Sequence, residues 1–225
     1  VRFIVFMQGC PMRCQYCHNP DSWKMRTGEE LTADELLDKA LRYRAYWGDK
    51  GGITVSGGEA LMQMEFVTEL FEKAHAMGVT TCLDTSAQPF TREEPWFGDF
   101  AKLMAVTDTV LLDIKHIDDE AHRRLTRFGN ANILDCARYL SDIGKPVWIR
   151  HVLVPGITDD EASLVRLHDF LCSLSNIERI DVLPYHTLGT FKYEKLGIAY
   201  PLRDTPTPTP ESVARARNIL EGTIG

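Results

Sequence analysis

The sequence predicts an α/β fold: a partial (β/α)6 barrel of parallel strands with helices outside. Three observations carry that prediction. Six short apolar runs recur along the chain, rich in Val, Ile and Leu and bounded by Gly, Pro, Asp or Ser, as strands buried in a parallel sheet are. Segments with a helical apolar period lie between them, so strand and helix alternate. The chemically unusual residues all fall at the C-terminal end of a run, where parallel barrels place their sites. A doubly wound open sheet is the alternative, but no Gly-rich dinucleotide fingerprint follows any run.

The first run, Arg2–Met7, leads into Cys10-Pro-Met-Arg-Cys14-Gln-Tyr-Cys17. A helix follows, opened by the capping box Thr32-x-x-Glu35 and carrying Leu36, Ala40, Tyr43 and Trp47 on one face. The second run, Ile53–Ser56, ends in Ser56-Gly57-Gly58-Glu59, and Phe66, Leu70, Ala74 and Met77 stripe the helix after it. The third, Thr80–Thr85, ends in Asp84-Thr85, with Phe97, Phe100, Leu103 and Met104 marking its helix. The fourth, Thr109–Lys115, ends in Asp113-Ile114-Lys115, and alternation puts Asp113 and Lys115 on the same face. Ile133, Ala137 and Leu140 mark the next helix.

The fifth run, Val147–Val154, contains Arg150 and ends in Val154-Pro155-Gly156. Thr158-x-x-Glu161 is expected to cap a helix carrying Leu164, Leu167 and Leu171. The sixth, Arg179–Tyr185, ends in Pro184-Tyr185-His186. Residues 187–210, with four prolines, read as an ordered surface excursion or linker. Thr209-Pro210 then opens a last helix with Val213, Ala216 and Leu220.

With 225 residues, 44% of them hydrophobic, the chain can form one barrel domain over residues 1–225 with a full core. A formal net charge of -7 argues against nucleic acid or an anionic membrane as partner, although residues 1–28 carry Arg2, Arg13, Lys24 and Arg26 against Asp21 alone. No apolar stretch is long enough to cross a membrane. The chain opens at Val1 inside a strand-like run, so the reading expects a shortened first strand and a missing N-terminal segment. Of six cysteines, Cys82, Cys136 and Cys172 are scattered in apolar surroundings as structural thiols. That usage fits a reducing, cytoplasmic compartment.

The clustered cysteines have three readings. A structural zinc site would take Cys10, Cys14, Cys17 and His18, although zinc ligands usually come as two separated pairs and Cys17 and His18 are adjacent. Cys14-Gln-Tyr-Cys17-His18 also matches the c-type haem attachment pattern, which leaves Cys10 unexplained. The third is a 4Fe–4S cluster held at three corners with its fourth iron open, thiolates being the standard ligands of such clusters.

C-x3-C-x2-C with an aromatic residue, Tyr16, before the last Cys resembles the signature of the radical S-adenosylmethionine superfamily. Cys10 through Asn19, Val55-Ser-Gly-Gly-Glu-Ala60, Cys82-Leu-Asp-Thr85, Leu112-Asp-Ile-Lys115, Val147-Trp-Ile-Arg150, Val154-Pro-Gly156 and Leu183-Pro-Tyr-His-Thr-Leu-Gly189 extend the likeness nearly end to end. By these segments the chain resembles the glycyl-radical-enzyme activases, and among them the family of pyruvate formate-lyase activating enzymes. Residues 18–55 hold no Cys, whereas many other activases carry a cysteine-rich insert there. Ser86-Ala87 stands where Asn-Gly is frequent in the family.

The resemblance implies a 4Fe–4S cluster on Cys10, Cys14 and Cys17, its open iron chelating S-adenosylmethionine. It implies reductive cleavage to a 5′-deoxyadenosyl radical, which takes an α-hydrogen from a glycine of pyruvate formate-lyase. It places Tyr16, Cys17, His18, Gly57, Gly58, Asp113, Ile114, Lys115 and His186 around S-adenosylmethionine. Glu59, beside the two glycines, is expected only to brace their turn. It suggests a monovalent cation at Asp84, Thr85 and Asp113, and Arg150 holding the partner's glycine loop or neutralising a carboxylate. A flavodoxin-like electron donor and a monomeric activase complete the expectation. The competing readings are an activase of another glycyl-radical enzyme and, from a different class, a non-catalytic iron–sulfur or zinc protein. An electron carrier would normally close its cluster with a fourth Cys.

Overall fold

β1 (Phe3–Met7), β2 (Gly52–Gly57), β3 (Thr80–Thr85), β4 (Thr109–Asp113), β5 (Val147–Leu153) and β6 (Ile177–Pro184) form one sheet in chain order. Every neighbouring pair is parallel. The structure, a computed structural model, describes residues 1–48 and 51–222. β1 bonds only to β2 and β6 only to β5, so the barrel is open between its first and last strands.

The sheet has two chemically different faces. Ile53, Val55, Leu83, Val110, Leu112, Ile149, Leu153 and Val182 are buried under the helices, in one core cluster that runs from Met7 to Leu220. Burying an aliphatic side chain of this kind stabilises the fold by about 1.5–3 kcal/mol. The alternate residues face the other way. On that side lie Thr54, Ser56, Asp84, Asp113, Arg150 and Asp181, and at the open edge Ile4 and Phe6, which are 52% and 57% exposed.

The helices are α1 (Ala33–Leu41), α2 (Met64–Ala76), α3 (Trp96–Ala105), α4 (Asp119–Thr126), α5 (Ala131–Asp142), α6 (Glu161–Cys172), α7 (Thr190–Leu196) and α8 (Pro210–Leu220). The expected capping box opens α1: the Glu35 amide donates to the Thr32 hydroxyl at 3.3 Å and the Thr32 amide to the Glu35 carboxylate at 2.8 Å. Thr209 caps α8 with Pro210 in the first turn, also as expected.

Four expectations need correction. The α1 stripe stops at Leu41; Tyr43 is exposed and Trp47 is buried after a separate short turn. Thr158 does not cap α6. Its hydroxyl donates to the Val152 carbonyl and accepts from the Val154 amide inside the β5–α6 loop, and Asp160 caps instead, accepting from Ser163 at 2.9 Å. α4 lies between β4 and α5, where no helix was expected, although Asp118 caps it, Asp119 and Glu120 open it and Arg123 and Arg124 close it. Residues 187–210 are not all loop, since α7 occupies their first part.

Candidate active site

The loop after β1 is held from both sides. The Gly9 amide donates to the Ser22 carbonyl at 2.8 Å and the Cys10 amide to Trp23 at 3.2 Å. On the other side, the Arg13 and Gln15 amides donate to the carbonyls of Thr126 and Leu125, each at 3.0 Å. The last turn of α4 therefore serves as a template for the loop, and its otherwise unsatisfied carbonyls find partners there. The Arg13 guanidinium folds back onto the carbonyls of Cys10 and Met12, both at 2.7 Å. Met12, Cys14 and Tyr16 point inward and are buried, whereas Cys10 and Cys17 are half-buried.

All three thiols are free. Burial pushes Cys10 up to about 11 and Cys14 up to about 12, and raises Cys17 as well, while the nearby Lys115 ammonium pulls each the other way. They are three soft donors that lose their protons to a thiophilic metal. Among the described residues no three His, Cys, Asp or Glu side chains converge as ligands of a single ion. Three free thiols on one loop are the donor set of a cluster that takes one thiolate per iron.

Below the loop, four charged side chains interlock. Asp113 pairs in register with Arg150 across β4 and β5, and the Arg150 Nε donates to its Oδ1 at 3.0 Å. The Nη2 of the same guanidinium bonds the Asp84 Oδ1. The Ser56 hydroxyl donates to the other Asp84 oxygen at 2.6 Å, and the Lys115 ammonium to the other Asp113 oxygen at 3.1 Å. Burial alone would push Asp113 up; Arg150 first and Lys115 second outweigh it and hold the carboxyl down to about 2. Burial leaves Asp84 raised despite the same Arg150. Burial also works against the Lys115 charge, yet Asp113 keeps its ammonium well above the usual lysine range. Lys115 Nζ lies 5.7 Å from the centroid of the Tyr16 ring, whose buried hydroxyl has no hydrogen-bond partner.

The β2 turn is built by close backbone approach. Gly57 has φ +110, and a Cβ there would collide with the Met7 backbone; a Cβ at Gly58 would collide with the Gly9 carbonyl. The Gly58 amide donates to Met7 at 2.9 Å and the Glu59 amide to Gly9 at 2.7 Å, which pins this turn beneath the cysteine loop. The Glu59 side chain is buried and accepts four hydrogen bonds. The donors are the Leu61 amide at 3.1 Å, the Thr85 hydroxyl at 2.5 Å, the Ser86 amide at 3.0 Å and the Ser86 hydroxyl at 2.6 Å. Glu59 thus ties the turn after β2 to the end of β3, in keeping with the bracing role expected for it.

The Radical SAM superfamily model matches residues 4–168. Among curated relatives, the pyruvate formate-lyase-activating enzyme of Streptococcus mutans is 53% identical over 98% of this chain and 84% of its own length. The chain belongs to the radical SAM superfamily, among the pyruvate formate-lyase-activating enzymes. A solved domain of a pyruvate-formate lyase-activating enzyme from Bacteroides vulgatus superposes with a TM-score of 0.62 at 25% identity, over 76% of this chain and 93% of that one. A radical SAM methyltransferase from Sphaerobacter thermophilus, 19% identical, shares the fold with a TM-score of 0.66 over 97% of this chain and 63% of that one.

Against this radical SAM frame the expected residues separate clearly. Asp84, Asp113, Lys115 and Arg150 meet in one cluster. His18 and His186 also meet: their rings stack at 4.1 Å and the His18 Nε2 donates to the His186 carbonyl at 3.0 Å. Burial lowers the His18 pKa. Thr85 is different. Its hydroxyl is turned to the opposite face of β3, toward Glu59, and Arg150 bridges the two aspartates. The side-chain oxygens of Asp84, Thr85 and Asp113 therefore do not assemble, because neighbouring residues of a strand point to opposite faces.

Several residues around the site were missed from sequence. Tyr193 of α7 packs edge-on against Trp23 at 5.9 Å and against Tyr200 at 4.9 Å, and the Tyr200 hydroxyl donates to the Tyr185 hydroxyl at 2.9 Å. Tyr185 and Tyr200 pack with Leu125 and Ile133 in one cluster with the cysteine loop. The acidic first turn and basic last turn of α4 were the signal that could have found the template helix.

Proposed function

We infer that the chain is an iron–sulfur activase that cleaves S-adenosylmethionine reductively and installs a glycyl radical on pyruvate formate-lyase. The observation that carries this reading is the juxtaposition of a three-thiol loop with the Asp84–Arg150–Asp113–Lys115 cluster at the C-terminal end of a parallel sheet. When bound, the 4Fe–4S cluster supplies one electron to the sulfonium of S-adenosylmethionine, giving methionine and a 5′-deoxyadenosyl radical that removes the glycine α-hydrogen.

Cys10, Cys14 and Cys17 would hold the cluster, and three thiolates for four irons would leave one iron free for S-adenosylmethionine. Its support is the three free thiols on one loop with no fourth cysteine among their neighbours in the buried cluster. Gly57 and Gly58 keep backbone close beneath the loop, at the methionine end of the ligand. Lys115, with Asp113 and Ile114, takes a carboxylate or ribose oxygen. Tyr16, Cys17, His18 and His186 border the adenosyl moiety, a role supported by the stacked imidazoles and the unpartnered Tyr16 hydroxyl.

Arg150 neutralises Asp84 and Asp113 and so keeps two neighbouring buried carboxylates compatible. It is also the group by which the partner's glycine loop is held. A monovalent cation beside Asp84 and Asp113 must share them with Arg150. The chain works as one domain and as a monomer in the cytoplasm, with a flavodoxin-like protein as electron donor. No helix among the described residues is long and apolar enough to cross a membrane.

The test is anaerobic purification followed by iron and sulfide analysis, S-adenosylmethionine cleavage and electron paramagnetic resonance of the partner. About four irons per chain are expected, with 5′-deoxyadenosine formed by the wild type and not by Cys14→Ala. A colourless protein with one zinc refutes the reading. A glycyl radical on another glycyl-radical enzyme but not on pyruvate formate-lyase refutes the substrate alone.

A further inference from the structure

The segment after β6 is fixed on its inner side. The Lys192 ammonium reaches Asn19 at 2.8 Å and Asp21 at 3.0 Å. Gly189 lies so close to the cysteine loop that a Cβ there would stand 3.0 Å from the His18 Cα. Tyr193 is fully buried against Trp23. The outer side of the same segment is apolar and wet. Phe191 and Lys195 stand one turn apart on the same face of α7, and Leu188 lies in the turn just before the helix. Leu188 is 77% exposed and Phe191 50%, with the Lys195 ammonium 5.2 Å from the Phe191 ring centroid. Leu196 and Ile198 add exposed apolar surface on the same short stretch. Single exposed apolar residues need no explanation, whereas a group of them on a locked segment marks an interaction surface.

Beside this patch opens a cavity of about 310 Å³, lined in part by Thr187, Glu194, Ile198 and Arg203, with Tyr193 and Tyr200 in its wall. An apolar rim beside a pocket able to take one anchoring side chain is the anatomy of a protein–protein interface.

We propose that residues 187–203 form the docking surface for the folded glycyl-radical enzyme that is the protein substrate, an inference that rests on the activase reading above. Position selects this occupant. His186, immediately before the segment, stacks on His18, immediately after Cys17, so the patch begins at the rim of the mouth. Hydrogen abstraction needs the glycine α-carbon in contact at that mouth, and the partner's surface around the glycine then covers the rim. An electron donor has no such requirement, since an electron crosses a gap without contact between reacting atoms.

The double variant L188S/F191S tests it, both side chains being exposed and outside the catalytic machinery. The cluster-loaded chain is titrated with pyruvate formate-lyase by surface plasmon resonance in the absence of S-adenosylmethionine. Affinity is expected to fall about tenfold or more. Cleavage of S-adenosylmethionine with dithionite, and hydrogen abstraction from a short peptide carrying the partner's glycine, are expected to stay at the wild-type level, because a peptide does not reach the patch. Unchanged affinity for pyruvate formate-lyase overturns the proposal. So does a loss confined to reduced flavodoxin, which assigns the surface to the donor, and so does a change in sedimentation alone, which assigns it to a second copy of the chain. Binding is read without turnover, so a wild type that forms no glycyl radical counts against the activase reading while the affinity still decides the docking surface.

Discussion

Replacing Glu59 by Gln tests how the site is braced. The carboxylate accepts from two backbone amides and two hydroxyls at 2.5–3.1 Å, wholly buried, with no cation among its hydrogen-bond partners. A glutamine must point its NH2 at one of the two backbone donors, Leu61 or Ser86, whichever way the amide is turned. A hydroxyl can rotate to accept from it; a backbone N–H cannot. One buried amide is thus orphaned, at about 1–3 kcal/mol, and the remaining bonds lose the part of their strength that comes from the charge. The sum is about 3 kcal/mol. With a urea slope of about 3 kcal/mol/M for a chain of this size, the unfolding midpoint falls by about 1 M. Glu59→Ala orphans all four donors and falls further, in the range that marks severe core damage. The assay is urea unfolding followed by circular dichroism under reducing conditions. A Glu59→Gln midpoint within about 0.2 M of the wild type refutes the account of Glu59 as the tie between β2 and β3.

Three further outcomes are expected. Burial lowers His122 to about 4, so its neutral form is favoured by folding; the stability it contributes is full above about pH 6.5 and is lost as pH falls through about 4, by about 3 kcal/mol, a decline that His122→Phe flattens in urea midpoints measured across that range. Arg150→Met leaves Asp84 and Asp113 without their shared cation and destabilises by about 3–5 kcal/mol, read by thermal unfolding, with 5′-deoxyadenosine formation falling alongside. Arg127 ends α4 in the left-handed region at φ 75 and is exposed, so Arg127→Gly raises stability by about 1 kcal/mol, measured as a higher Tm.

The architecture was legible because each strand announces itself twice, by an apolar run and by the odd residue that terminates it. Thr32 was legible as a cap because Glu35 completes its capping box, and Thr209 because Pro210 and an apolar helical stripe follow it. Thr158 was misread because Asp160, two residues on, is the better cap, and the threonine hydroxyl is consumed inside its own loop. α4 was overlooked because its face is short and its mean character polar, although its charges run in the order the helix dipole favours. The grouping of Asp84, Asp113 and Arg150 depends on the stagger between strands about thirty residues apart, which no local pattern encodes. Thr85 shows the reverse case: simple alternation along β3 separates it from Asp84, and that was readable from the start.

The unpaired edges of β1 and β6 bear on topology in a different sense. A ring of strands closed on itself can be entered only through its ends, so a residue in the middle of another polypeptide could reach the interior only as a doubled-back hairpin pushed in tip first. A ring with one seam left unsewn can receive a chain sideways, laid in along its length and lifted out again without a free end. The apolar side chains of Ile4 and Phe6 line that seam.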